Sequence, residues 1–156
     1  NSNYTYKIHK HEALFTVEDS LKKRGEIVGA HSKNLFLKNK KNKFYLFSCV
    51  ERTNIDLKKL SKCLSLGNIS FANEAYLLKY LGVTPGSVTP FGLLNDIDKQ
   101  VDFYLDKKFL SSEIVNFHPL TNTSSISLAV MDFINFLIEN NKKVNIFDFN
   151  NYTLID

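Results

Sequence analysis

Lys33 is the first residue in the chain whose type and setting point to chemistry. Alternation from Val28 to Leu37 places His31, Lys33, Leu35 and Leu37 on one strand face, so a cation stands where an inward-facing apolar row begins. On that pattern alone, the stem packs and the ammonium reaches water. A cation fixed beside a cavity can instead bind a phosphate or stabilise charge developing on an ester carbonyl. A second group lies between Gly82 and Gly92, where three Gly and two Pro surround Val83, Val88 and Phe91 in an ordered loop with demanding backbone angles. Within it, Gly86-Ser87-Val88-Thr89-Pro90 either forms a structural turn or brings backbone amides close to a ligand, because glycine has no side chain in the way. His118, beside Pro119, can hydrogen-bond a ligand or support structure, and Asn34 and Asn122 can orient a substrate or satisfy backbone groups at strand ends. His9 and His11 share a strand face without further ligands at metal-binding spacing, so no metal is expected. Cys49 and Cys63 lack C-x-x-C spacing and read as reduced thiols, and no Ser-His-Asp or Cys-His arrangement stands out.

The elements that must position these groups follow from periodicity. Tyr4, Tyr6 and Ile8 alternate as a strand, and Thr16 opens a short helix ending near Gly25. Val28 to Leu37 and Phe44 to Val50 form a hairpin about a turn from Lys38 to Lys43, and the second arm, apolar on both faces, reads as a central strand. Asp56 caps a helix carrying Leu57, Leu60 and Leu64 that ends by Gly67, Ile69 to Ala72 is ambiguous, and Asn73 precedes an amphipathic turn with Ala75, Leu77, Leu78 and Leu81 as its apolar set, stopped at Gly82. Strands are expected at Val101 to Leu105, Ile114 to Phe117, Ser124 to Leu128 and Val144 to Phe149, with a helix through Met131, Ile134 and Leu137. Strands and separate helices without regular alternation predict an α+β layer fold over a doubly wound sheet.

Composition sets the limits. A chain of 156 residues suits one domain over residues 1–156, and 44% hydrophobic residues, with 13 Phe and 7 Tyr, supply a core without disulfides or a structural metal. The net charge of +4 is compatible with a polyanionic partner without requiring one; Lys38, Lys40, Lys41 and Lys43, or Lys22, Lys23 and Arg24, can meet phosphates or simply face solvent. No apolar run approaches the length of a membrane span and the polar start is not a signal peptide, so no membrane association and a cytoplasmic location are expected.

Three blocks in order, Gly29-Ala30-His31-Ser32-Lys33-Asn34-Leu35-Phe36-Leu37, Gly82-Val83-Thr84-Pro85-Gly86-Ser87-Val88-Thr89-Pro90-Phe91-Gly92-Leu93 and Phe117-His118-Pro119-Leu120-Thr121-Asn122, together resemble the YbaK-like aminoacyl-tRNA editing superfamily, which includes the insertion domain of prolyl-tRNA synthetases. The likeness runs from about Phe15 to the late helix. Lys33 followed by Asn34 and Leu-Phe-Leu looks closest to the ProXp-ala branch, which clears alanyl-tRNA(Pro). The resemblance implies a curved, mainly antiparallel or mixed, barrel-like sheet flanked by helices, and hydrolytic deacylation of mischarged tRNA(Pro) in a pocket that excludes proline. It implies Lys33, Gly86 and His118 as catalytic residues, with Asn34, Ser87, Val88, Thr89, Pro90 and Asn122 binding substrate. Lys33 and the glycine-lined loop are expected to converge on one small cleft. Implied partners are the acceptor end of tRNA(Pro) and prolyl-tRNA synthetase, with no cofactor. Two alternatives stay open: a deacylase for Cys, Ser or a non-protein amino acid, and a non-catalytic tRNA-binding module appended to a synthetase. Relatives in the superfamily begin with a helix ahead of the first strand, whereas this sequence starts almost at the strand, which a trimmed sequence and a domain cut from a larger synthetase would both do.

Overall fold

The computed structural model of the chain describes residues 6–10, 30–51, 53–84, 88–111, 114–117 and 124–155. The expected helix from Thr16 to Gly25, the basic group Lys22, Lys23 and Arg24, and the site candidates Gly86, Ser87, His118 and Asn122 lie outside the described residues.

Among the described residues, nine strands are joined by pairing: β1 (Tyr6–Lys10), β2 (Ala30–Asn39), β3 (Phe44–Val50), β4 (Ile69–Phe71), β5 (Val101–Asp106), β6 (Ile114–Phe117), β7 (Ser124–Ala129), β8 (Asn145–Asp148) and β9 (Thr153–Ile155). Their order is β1-β7-β6-β2-β3-β5-β8-β9, with β4 on the side of β2. β2 turns the sheet: its first residues, Ala30 and His31, run parallel to β6, and Ser32 to Lys38 then run antiparallel to β3. β3 pairs parallel with β5 and β5 parallel with β8, so the sheet is mixed, as expected of an α+β fold with flanking helices.

Side-chain alternation divides the interior in two. Phe36 of β2, Phe44 and Leu46 of β3, and Phe103 and Leu105 of β5 face a larger core closed by helix α3 (Val130–Glu139) through Phe133 and Leu137. Leu37, Tyr45, Phe47 and Cys49 face a second core under helix α1 (Leu57–Leu64), which contributes Leu60. β3 is thus buried on both faces, the reason its sequence lacks the polar half of an alternating strand.

Local chemistry sets the connections. Asp56 accepts from the Lys58 and Lys59 amides at 3.0 and 3.2 Å and starts α1, which stops where Ser65 turns left-handed, two residues before Gly67. The β2–β3 turn is tighter than the run of lysines suggests. β2 extends to Asn39, whose Oδ1 accepts from the amides of Lys41 and Lys43 at 3.0 and 2.9 Å and closes the turn itself. After Asn73 caps α2 (Glu74–Tyr76), the chain widens into a π-turn (Leu77–Leu81) that buries Leu77 and Leu81; Leu78 is exposed and Ala75 with it, so the expected apolar set is only half right. Among the described residues no helix is long and apolar enough to cross a membrane.

Candidate active site

Antiparallel register sets Lys33 opposite Cys49 and Asn34 opposite Ser48, near the end of β3. Lys33 is half-buried, and its ammonium donates to the carbonyl oxygen of Thr53, in the turn just beyond β3. That turn is closed by the Thr53 amide on the Val50 carbonyl at 2.9 Å. It is anchored by Asp106, the last residue of β5, which is 1% exposed. Oδ2 of Asp106 accepts from the Val50 amide at 3.0 Å and from the Thr53 hydroxyl at 3.4 Å, and Oδ1 accepts from the Lys108 amide at 2.9 Å. A buried carboxylate therefore holds the segment that holds the lysine, and its cost of burial is offset by three donors.

Cys49 lies beneath Lys33, fully buried, with its thiol donating to the Lys33 carbonyl at 3.8 Å. Burial pushes this thiol up to about 12, while Lys33 and Lys108 pull it down and Asp106 pushes it up. It stays protonated near neutral pH and is no nucleophile, even with a cation close by.

The other face of β2 begins a polar seam at Asn34 that continues onto β6 and β7, where Asn116 and Ser127 lie on the side opposite Val115 and Leu128 of the larger core. Asn34 accepts through Oδ1 from the Ser48 hydroxyl, Ser32 donates to the Asn116 carbonyl at 2.9 Å, and Asn116 Oδ1 accepts from the Ser127 hydroxyl. Ser48, Asn116 and Ser127 are buried, so each pairing satisfies groups that would otherwise be costly in the interior.

Of the glycine-proline loop, Val88, Thr89 and Pro90 are described. Thr89 and Pro90 are buried at the start of a 3-10 helix (Pro90–Asn95): the Thr89 hydroxyl accepts from the Phe91 amide at 3.4 Å, and proline opens the helix where no amide partner is required. Val88 packs against the larger core, and Phe91 meets Phe133 and Phe136 with ring centroids at 5.8 and 5.9 Å. The described part of the loop packs away from the lysine. Lys33 points to the face of Cys49, whereas Val88 belongs to the core on the face of Asn34 and Phe36, so the body of the loop and the lysine take opposite faces of β2. Any approach between them falls to Pro85, Gly86 and Ser87, outside the described residues, as are His118 and Asn122.

Sequence reasoning names Lys33 and Asn34 but not Thr53, Asp106, Ser48 or Asn116. Their partnerships depend on cross-strand register, and Asp106 lies 53 positions from Thr53. A residue triplet with such separation leaves no local pattern to read.

The model of the aminoacyl-tRNA editing domain matches residues 11–136. A protein of Bos taurus, prolyl-tRNA synthetase associated domain-containing protein 1, is 42% identical over 133 residues, covering 82% of this chain and 77% of that one. The prolyl-tRNA editing protein ProX of Acetoanaerobium sticklandii is 37% identical over 131 residues, covering 83% of this chain and 79% of that one. A crystal structure presented as a trans-editing enzyme for prolyl tRNA synthetase superposes with a TM-score of 0.67 over 97% of this chain and 87% of the other; at 20% identity, it speaks for the fold alone.

Proposed function

The chain belongs to the aminoacyl-tRNA editing domain family, among relatives named for their association with prolyl-tRNA synthetase, and from that premise we propose that it hydrolyses mischarged tRNA(Pro), with alanyl-tRNA(Pro) as preferred substrate. The observation that carries this reading is the restrained ammonium of Lys33, held by the Thr53 carbonyl at the end of β3. One of its three protons is engaged there, leaving two to meet an ester carbonyl or the terminal phosphate. The ester, activated by its own α-ammonium group, needs only positioning and a water molecule, with a ribose hydroxyl of the terminal adenosine assisting. Gly86 and Ser87 form a wall of the aminoacyl pocket, with Val88, Thr89 and Pro90 anchoring them in the larger core behind; His118 and Asn122 hydrogen-bond the acceptor end, and Asn34 orients it from the seam with Ser48. The whole chain acts as one editing domain, in the cytoplasm, on the acceptor end of tRNA(Pro) and in concert with prolyl-tRNA synthetase.

Editing of this kind answers a limit on sieving. A pocket built for proline cannot strongly reject a smaller residue, because a missing methylene is worth only about 1–3 kcal/mol. A second, smaller pocket admits alanine and excludes the proline ring by clash.

A panel of mischarged tRNAs tests this reading: alanyl-tRNA(Pro) is expected to be deacylated over many turnovers and prolyl-tRNA(Pro) spared. Turnover of cysteinyl or seryl ester in preference to alanyl reassigns the substrate, and hydrolysis of none removes the enzyme reading. The lysine-to-carbonyl contact also suits a second reading, a structural clamp in a non-catalytic tRNA-binding module, for which the same panel shows binding without turnover.

A further inference from the structure

At the end of the strands away from Lys33, cations gather. The β2–β3 turn carries Lys40 and Lys41, Lys43 precedes β3, Lys99 lies in the turn before β5, and Lys142 and Lys143 lie between α3 and β8. Register sets these turns side by side: Phe44 pairs with Val101 and Tyr104 with Asn145, so the residues just ahead of β3, β5 and β8 share one rim. Lys99, Lys142 and Lys143 also edge a cleft of about 240 Å³ with Leu93, Val101 and Phe103 among its lining residues.

The four neighbouring acids offset part of this rim of six lysines and leave it net positive. The Asp96 carboxylate is occupied by the amides of Gln100 and Val101 at 2.9 and 2.8 Å, and the Lys142 ammonium donates to the Asp96 carbonyl at 2.6 Å. Asp102 pairs with Lys43 at 3.5 Å, and Asp98 and Glu139 are exposed nearby. Lys40, Lys41, Lys99 and Lys143 remain exposed beyond these contacts.

We infer that this lysine rim is a second RNA contact, taking backbone phosphates of the tRNA body while the acceptor end reaches Lys33. The inference rests on the tRNA reading above. Lysines are mobile point charges without the bidentate fork that reads base edges, so the contact is to phosphate and independent of sequence. From Lys33 to Lys40 the chain runs as one strand, seven residues at about 3.3 Å each, or about 23 Å, too far for the rim to touch the scissile ester. Its contribution is therefore to binding and leaves the chemical step alone.

The test is a triple variant, Lys41→Glu, Lys99→Glu and Lys143→Glu, with the milder Lys→Gln triple alongside it should charge reversal disturb folding, which circular dichroism reports. Affinity for uncharged tRNA(Pro) is measured by fluorescence anisotropy over a salt series. The expected result is at least a tenfold loss for the Glu triple at low salt and a salt slope shallower by about 2, from a loss of about 0.7–0.9 per phosphate contact. KM for alanyl-tRNA(Pro) rises while kcat stays within twofold. Unchanged affinity and slope overturn the rim. Wild-type protein that binds tRNA but hydrolyses no ester defeats the proposed function and leaves the rim to be judged by the slope; normal turnover with unchanged KM in the folded variant defeats the rim alone. Failure of the wild type to bind tRNA overturns both.

Discussion

On the proposed reading two demands meet in the side chain of Lys33: the ammonium must be held still to act on an ester, and it must keep protons free to do so. The Thr53 carbonyl answers the first and uses one donor. Replacing Lys33 with Ala removes the cation and takes a donor from the carbonyl of the buried Thr53; the expected outcome is a fall in kcat of about 10²–10³, the range for losing one preorganised electrostatic contact, with a lowered melting temperature and the fold retained. Single-turnover deacylation with the fold checked by circular dichroism measures it, and full activity in Lys33→Ala excludes the lysine from the chemistry. Cys49 supplies the contrast. Its thiol, pushed up by burial to about 12, is expected to contribute nothing, so Cys49→Ala retains deacylation within about threefold, while iodoacetamide labels the exposed Cys63 well before Cys49 in the native wild type. The lysine was legible because alternation marks it as the polar start of an apolar row and the surrounding residues resemble a known block. Thr53 and Asp106 were not legible, since what makes them partners is the parallel pairing of β3 with β5, a contact between distant segments.

Strands were the most readable elements because their apolar alternation is local. β3 matches the expected Phe44 to Val50, and β5, β6 and β7 start where periodicity places them. β9 (Thr153–Ile155) was not foreseen: all three residues are exposed, so it carries no burial pattern and exists only through pairing with β8. The Gly and Pro content of the loop from Gly82 marks its demanding backbone angles but not the way its described parts pack. Gly82 sits at φ 66°, where glycine closes the π-turn without strain, and Gly92 lies against Leu81. A Cβ at position 92 would come within 2.9 Å of both the Leu81 carbonyl oxygen and its Cβ, backbone and core that cannot swing aside. Gly92→Ala is therefore expected to destabilise the protein by about 1–3 kcal/mol, read as a lower urea midpoint at unchanged m-value. An unshifted midpoint shows that the 3-10 helix can slide on the π-turn. Because Thr89 and Pro90 start that helix, the same shift should weaken alanyl-tRNA(Pro) turnover if this segment walls the pocket.

Across the whole molecule, the second core holds the protonated groups that define its tolerance to alkali. Tyr104 stacks on Phe47 at 4.8 Å between ring centroids, and burial, then Asp102, then Tyr45 push its phenol up to about 12. The Cys49 thiol, on the same side of the sheet, is raised by burial from 9.0 to about 12. Both groups hold their protons more tightly in the folded chain than in the unfolded one, so rising pH favours unfolding once the unfolded groups ionise. The contribution of these two groups is complete below about pH 9, declines first through Cys49 and then, above about pH 10, through Tyr104 as well, and the loss continues towards pH 12. Thermal melts between pH 7 and 11 should show a falling midpoint beginning near pH 9, and Cys49→Ala should postpone the onset to about pH 10 without removing the later fall. A midpoint that is flat through pH 11 in the wild type shows that these groups ionise without unfolding and that the second core is open to water. Such an opening would loosen the β2–β3 pairing on which Lys33 stands, so the melt also tests whether the floor beneath the candidate site is closed.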